Sequence, residues 1–419
     1  MGPTMGSRLP GIEGLRALAA GSIVVYHCWL YSAPSGQGVR LGPLDEVFIH
    51  LPLGVTLFFT LSGFLLYRPF AGAIMRGRPF PSSVAYLRNR ALRILPAYWF
   101  ILAIVGLVLG TALVRAPGQP LASGSLAGQP GHLVADALLV QNYFRSTILT
   151  GIGPAWSLAI EVVFYAALPI LAVTSVWLAN RAATRRGRRL ATLAPPLFLL
   201  AVGLSFKVIG TFVVRGYGPG TGWLDDWHSV LERSFFLQAD LFTFGMLVAV
   251  LHVDAEDGLL RLPSWWRWAA LVAIPAIGLP VAALTSASDL NFYVYGTLTA
   301  LVLGLALALV VLPRAGGASS RAVPLLEWRP LVSVGVVSYS LFLWHEPLQR
   351  WLQIHGLTAG GVGGFVLNLF VLAAVSGALS AITYRYIELP ALRRKHRGRA
   401  GQREPAARDL QVGQASAAP

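Results

Sequence analysis

Apolar residues fall in long uninterrupted runs separated by short polar segments, and no interior stretch alternates at period two. A helical run of about 20 apolar residues can cross a hydrocarbon core roughly 30 Å thick. Ten such runs are read, at about 12–32, 47–67, 92–114, 155–178, 191–214, 231–251, 265–286, 292–312, 331–352 and 363–386. Lipid offers the backbone no hydrogen-bond partner, so each run is expected to be helical. The lack of alternation excludes a transmembrane β-barrel. The pattern predicts an all-α polytopic membrane protein in three parts. Residues 1–11 form a cytoplasmic N-terminus, 12–390 a ten-helix transmembrane domain, and 391–419 a tail that is basic and then disordered.

Composition sharpens this picture. Hydrophobic residues make up 55% of the 419 and charged residues only 12%. That charge cannot cover a water-soluble surface. The net charge of +15 would suit nucleic acid, but the cations sit between apolar runs, so membrane topology explains them. Segments 68–93, 179–190 and 313–330 and the tail after 390 are rich in arginine, whereas the intervening segments are poor in it. The positive-inside rule then places both termini in the cytoplasm. Segment 252–264 is the weakest vote, because Asp254, Glu256 and Asp257 accompany Arg261. The first run holds Arg16 and lacks a convincing small-residue cleavage site, so it is expected to remain in the mature protein. Residues 115–154 read as an extracytoplasmic loop, with a short apolar piece around 133–140 suited to re-entering the protein. One cysteine, Cys28, allows neither an internal disulfide nor a cysteine-based metal site. The histidines are too scattered for a recognisable metal site, and no internal repeat is evident.

Ionisable residues within spans are expensive and mark candidate functional sites. Arg16 and His27 are eleven residues apart, which places them on one helix face about 16 Å apart along the axis. A fixed cation at the cytoplasmic end and a titratable imidazole further in suit an anionic ligand that enters from the cytoplasm and reacts within the membrane. The plainer alternative is a snorkelling Arg16 and a His27 bonded to a neighbouring helix. Glu161 lies about six residues into the fourth span, and His27 at a similar depth is its natural partner; the plainer alternative is a buried carboxylate bonded to a Tyr or Trp. His345 and Glu346 are adjacent in the ninth span, so at most one is expected to face a common site. Arg90 and Arg93 share a face of the helix entering the third span, with Arg88 nearby, and an arginine pair suits phosphate. Glu388 closes the tenth span, where pairing with an arginine is expected.

These residues fall in ordered blocks: Arg16 and His27 with ten residues between them; Gly54-Val55, Phe58-Phe59 and Ser62-Gly63-Phe64-Leu65; Arg90-x-x-Arg93-Ile94-x-Pro96-x-Tyr98-Trp99; Trp156-Ser157-Leu158 with Glu161; Ser338-Tyr339-Ser340 with His345 and Pro347; and Ile387-Glu388-x-Pro390. In this order and spacing the sequence resembles the membrane acyltransferase family three, whose members O-acylate bacterial surface glycans, glycolipids and some macrolides. The resemblance implies a ten-helix core in the bacterial inner membrane and acyl-CoA, acetyl or longer, as co-substrate. It implies His27, Glu161 and Arg16 at the catalytic centre and Arg90, Arg93 and Arg88 at the CoA phosphates. Ser62, Trp156, Ser157, Tyr339 and His345 are then expected to line the substrate. The acceptor would be a glycan, glycolipid or macrolide-type hydroxyl; no nucleic acid and no metal are expected. The extracytoplasmic SGNH domain of some family members is not expected in this chain, which ends soon after the tenth run. Transfer without that relay domain, or with a partner completing it, follows. A proton-coupled transporter or flippase is the alternative.

Overall fold

The structure is a computed structural model and describes residues 9–33, 38–114, 122–213, 226–260, 262–283, 289–314 and 318–400. The chain folds into α1 (Ile12–Tyr31), α2 (Asp45–Ile49), α3 (Leu53–Arg76), α4 (Ser83–Ala103) and α5 (Pro130–Ala137). Next come α6 (Ala155–Asn180), α7 (Arg185–Ala191), α8 (Ala194–Phe212), and the short α9 (Trp227–Glu232) and α10 (Phe235–Gln238) leading into α11 (Thr243–Glu256). The rest are α12 (Trp266–Ala283), α13 (Asp289–Val311), α14 (Val323–Leu326), α15 (Arg329–Ile354), α16 (Gly361–Thr383) and α17 (Leu389–Ala400). Among the described residues the only strands are β1 (Ala112–Val114) and β2 (Ala122–Gly124), an antiparallel pair in the loop after α4.

Each of the ten predicted runs coincides with a helix. Eight helical stretches among the described residues are long and apolar enough to cross a membrane. Helices α1 and α15 span 20 and 26 residues but are not among the eight. They carry Glu13, Arg16, His27, His345, Glu346, Gln349 and Arg350, so the polar residues that make them interesting also lower their apolarity.

Several boundaries differ from the sequence pattern. α3 continues past 67 to Arg76 and stops at Gly77, whose φ of 62° is left-handed. Its last turns stay helical because their cations are paired. Arg68 and Arg76 bond Glu256, and Arg76 also bonds Asp257. α4 starts at Ser83 rather than 92, because the Ser82 side chain accepts from Ala85 N and caps it. Arg88, Arg90 and Arg93 are thus helical. Residues 391–400, expected in the tail, continue as α17, and 401–419 lie outside the described residues.

Arg185 and Arg189 of α7 bond Asp257 and Asp254. The acids of the ambiguous segment 252–264 therefore face the arginines that end α3 and begin α7, at the same end of the bundle. Helices α3 and α11 cross where Gly63 meets the Phe242 carbonyl and Gly245 meets the Thr60 carbonyl. A Cβ on Gly245 would stand 1.8 Å from the Thr60 oxygen, so this contact needs glycine.

The segment before α6 does re-enter the protein. Tyr98 OH donates to the Asp136 carbonyl at 2.7 Å, and Trp99 Nε1 to that of Ala137 at 2.8 Å. Asp136, Leu139, Asn142 and Thr150 are buried. The start of α6 is thereby carried into the bundle, to the level of Glu346 on α15, whose carboxylate lies against Gly153.

Candidate active site

A cavity of about 130 Å³ lies between α1, α3, α4, α6 and α15. Arg16, Arg90 and Arg93 line it together with Ser62, Ser157, Glu161 and Tyr339. The same three arginines also line a second cavity of about 300 Å³, alongside Glu13, Asn89 and Leu392 near the helix ends. They form a cationic ring between an outer mouth and an inner chamber. Arg93 Nη1 bonds Glu388 Oε2 at 3.1 Å, as expected for Glu388, and Ser340 Oγ bonds the other oxygen at 2.5 Å. Glu388 ends a π-helical turn, Tyr384–Glu388, whose extra residue re-aims it. Arg90 Nε is buried with no hydrogen-bond partner. Of the three, Arg93 is thus committed to Glu388, while Arg90 keeps an unpartnered buried N–H.

Glu161 does not pair with His27. Its Oε1 accepts from Ser62 Oγ at 2.8 Å and its Oε2 from Tyr165 OH at 2.5 Å. Counting depth from the start of α6 fails because the re-entrant segment moves that start inward. Gly153 is at the level of Glu346, and the helix from Ala155 carries Glu161 about 9 Å further toward the arginines.

The partner of His27 is His345, whose Nε2 lies 3.0 Å from His27 Nδ1. His345 Nδ1 is 3.2 Å from the Leu341 carbonyl, and a carbonyl only accepts, so that nitrogen bears the proton. His345 Nε2 is then an acceptor and His27 Nδ1–H the donor, a proton also 3.1 Å from the Ile23 carbonyl. His27 Nε2 is left as a bare lone pair. The sequence left His345 a structural or a substrate-lining role; it is wholly buried and bonded to His27. Phe342 lines the inner chamber and packs against His345, with ring centroids 5.9 Å apart, and Phe58 lies edge-on to Phe342 at 5.8 Å. The histidines thus stand just beyond the chamber's aromatic end.

Past the histidines, α15 carries a polar cluster that the sequence reading did not assemble. Glu346 Oε1 bonds Arg350, and Tyr31 OH donates to it at 3.4 Å. Gln349 is fully buried, with neither side-chain atom partnered. It is four residues from His345, hence on the same face. Glu346 Oε2 and Arg350 Nε are also unpartnered. The signal was present as Glu, Gln and Arg at spacings of three and four within one span.

The remaining expectations divide. Ser62, Ser157 and Tyr339 line the chamber, with Tyr339 OH donating to the Ile94 carbonyl at 2.9 Å. Trp156 is not among the chamber's lining residues; its ring lies beneath the Arg233 guanidinium and its carbonyl accepts from Asn142. Arg88 is exposed and lines neither cavity of the ring. Lys207, overlooked inside the fifth span, is buried and bonds Asp240 at 2.6 Å and Thr297 at 2.7 Å, tying α8 to α13. Among the described residues no cluster of three or more His, Cys, Asp or Glu side chains is placed to hold a metal ion.

Comparison with known proteins bears on this site as a whole. The chain is 23% identical over 385 residues to O-acetyltransferase OatA of Staphylococcus aureus (strain NCTC 8325 / PS 47), covering 91% of this chain and 57% of that protein. It is 29% identical over 170 residues to acyltransferase MdmB of Streptomyces mycarofaciens, 39% of each chain. YrhL of Bacillus subtilis (strain 168) is 26% identical over 392 residues, 91% of this chain and 54% of that protein. The chain thus spans about half the length of the curated relatives it matches along most of its own. No solved structure matches it. Residues 9–385, from just before α1 to the second residue of the π-turn Tyr384–Glu388, match the family described as an acyltransferase domain, and the chain belongs to that family.

Proposed function

We propose that the protein is an integral O-acyltransferase of the bacterial inner membrane, with ten crossing helices and both termini in the cytoplasm. It moves an acyl group from cytoplasmic acyl-CoA to a hydroxyl of a glycan, glycolipid or macrolide-type acceptor. The observation that carries this reading is the bare Nε2 of His27, held by His345 just beyond a chamber ringed by Arg16, Arg90 and Arg93.

Arg90 and Arg93 bind the CoA phosphates from the outer mouth, as guanidinium forks suit phosphate oxygens. Arg16 lies deeper in the same opening and guides the thioester arm inward. Ser62, Ser157 and Tyr339 line its path. His27 Nε2 takes the proton from the acceptor hydroxyl as the new C–O bond forms. The thioester C–S bond breaks, and the leaving thiolate receives that proton. His345 touches no substrate in this scheme; it fixes the ring and the tautomer of His27. Glu161 acts within the chamber, keeping Ser62 and Tyr165 in place, and does not orient His27. The acceptor approaches from the side of Gln349, whose unpaired amide would bond neighbouring hydroxyls.

Binding of an acyl-CoA panel to the purified full chain tests this reading. Binding lost in Arg90→Ala and kept in His27→Ala is the expected result. No binding of any acyl-CoA, together with substrate movement in proteoliposomes lacking acyl-CoA, would replace it with transport.

A further inference from the structure

Away from the arginine ring, a cleft of about 720 Å³ opens between the start of α12 and the end of α13. Among the described residues, three arginines line it, Arg267, Arg314 and Arg321, and no acid does. Arg267 is anchored to the Leu309 carbonyl near the end of α13, to that of Leu312 just past it, and to Ser320 Oγ. Arg314 lies close enough to it for the two charges to repel. The nearest acids in sequence are already engaged: Glu327 accepts from Gly11 N, Asp254 bonds Arg189, Glu256 bonds Arg68 and Arg76, and Asp257 bonds Arg76 and Arg185. The cleft therefore gathers positive charge, and none of the described residues lining it is an acid.

Its walls are apolar, including Leu260, Leu271 and Leu309. Trp268 and Leu271 also line it, yet are 72% and 51% exposed on the outer face of α12. The cleft is thus continuous with the surface that meets lipid. Trp266 and Trp268 stand at the helix entry, where indoles favour the bilayer interface. Cations at headgroup level beside an apolar wall suit a phosphate that carries acyl chains. Basic pockets between helices on the cytoplasmic side hold anionic headgroups by this means.

We propose that the α12–α13 cleft binds one anionic phospholipid, with Arg267, Arg314 and Arg321 at its phosphate and Leu260, Leu271 and Leu309 along an acyl chain. The proposal is independent of the catalytic reading.

The test titrates phosphatidylglycerol into the full chain held in phosphatidylcholine–detergent micelles and follows the melting temperature. A saturable rise of about 3 °C is expected for the wild type, since a ligand bound only by the folded state stabilises it. The rise should vanish in Arg314→Gln/Arg321→Gln and persist in Arg40→Gln, which alters an exposed arginine beyond the other end of α1. Native mass spectrometry of the wild type should show one retained phosphatidylglycerol in excess over phosphatidylcholine. An equal rise in the double variant would overturn the site. The same rise produced by sn-glycerol 3-phosphate alone would overturn the lipid assignment in favour of a free phosphate.

Discussion

His345 Nε2 accepts a hydrogen bond from His27 Nδ1 at 3.0 Å, across the seam between α15 and α1. The bond fixes which nitrogen of His27 is free to act as a base. Removing it should slow turnover by less than losing His27 itself. His345→Ala is expected to lower kcat about 10-fold or more while leaving the KM for acyl-CoA unchanged. His345→Gln retains an acceptor near the Nε2 position and should recover part of the loss. Equal rates for both variants and the wild type would remove His345 from the mechanism.

Arg90 and Arg93 are expected to separate in their effects. Arg93 holds the buried Glu388, so Arg93→Ala leaves a carboxylate without its cation, and breaking such a pair costs about 3–5 kcal/mol. It should lower the melting temperature as well as acyl-CoA affinity. Arg90 Nε has no protein partner, so Arg90→Ala should weaken acyl-CoA binding roughly 10-fold or more with little change in melting temperature. Isothermal binding and thermal unfolding of both variants check this. Matching stability losses would contradict it.

Asp136, in the loop that re-enters the bundle, gives stability a pH dependence. Burial raises its carboxyl from 3.8 to about 7, against the pull of the Thr150 hydroxyl. A group with a raised folded pKa stabilises most below its unfolded value, and that contribution fades as pH rises through the folded one. The wild type should therefore lose stability between about pH 4 and pH 7. The full contribution is on the order of 4 kcal/mol. Asp136→Asn should flatten this slope. Thermal unfolding at pH 5 and 8.5 measures it; parallel wild-type and variant curves would show that Asp136 titrates normally.

The α3–α11 crossing depends on glycine. Gly245→Ala puts a methyl 1.8 Å from the Thr60 oxygen, and overpacking of this kind costs about 1–3 kcal/mol or more. Gly278→Ala, whose nearest neighbour would be Val302 Cγ1 at 3.9 Å, should be tolerated. Equal melting temperatures for the two would mean that the helices part without cost.

Much of this was legible in the sequence. Hydropathy located the helices because burial in lipid requires long apolar runs. Helical spacing put Arg16 and His27 on α1 in the right order, and the Arg90/Arg93 pair at the chamber's mouth. What failed was the third dimension. Glu161 was matched to His27 by depth, but depth counted along the chain ignores a loop that carries α6's start inward. His345 was visible as a buried histidine, yet nothing in one sequence says which helix α15 packs against. Arg88 and Trp156 fell in the right motifs and point elsewhere, since residues adjacent on a helix diverge by 100°. The Glu346–Gln349–Arg350 cluster went unassembled because its members become a site only once α15 lies along α1.

The account turns on His27 as the base. The most direct measurement is CoA release from acetyl-CoA by membranes containing the full chain, with cell-wall glycan fragments as acceptor, beside His27→Ala at equal expression. General-base catalysis supplies roughly 10²–10⁴-fold, so turnover should fall by that factor while acetyl-CoA still binds the purified variant. Near wild-type turnover in His27→Ala would contradict the account.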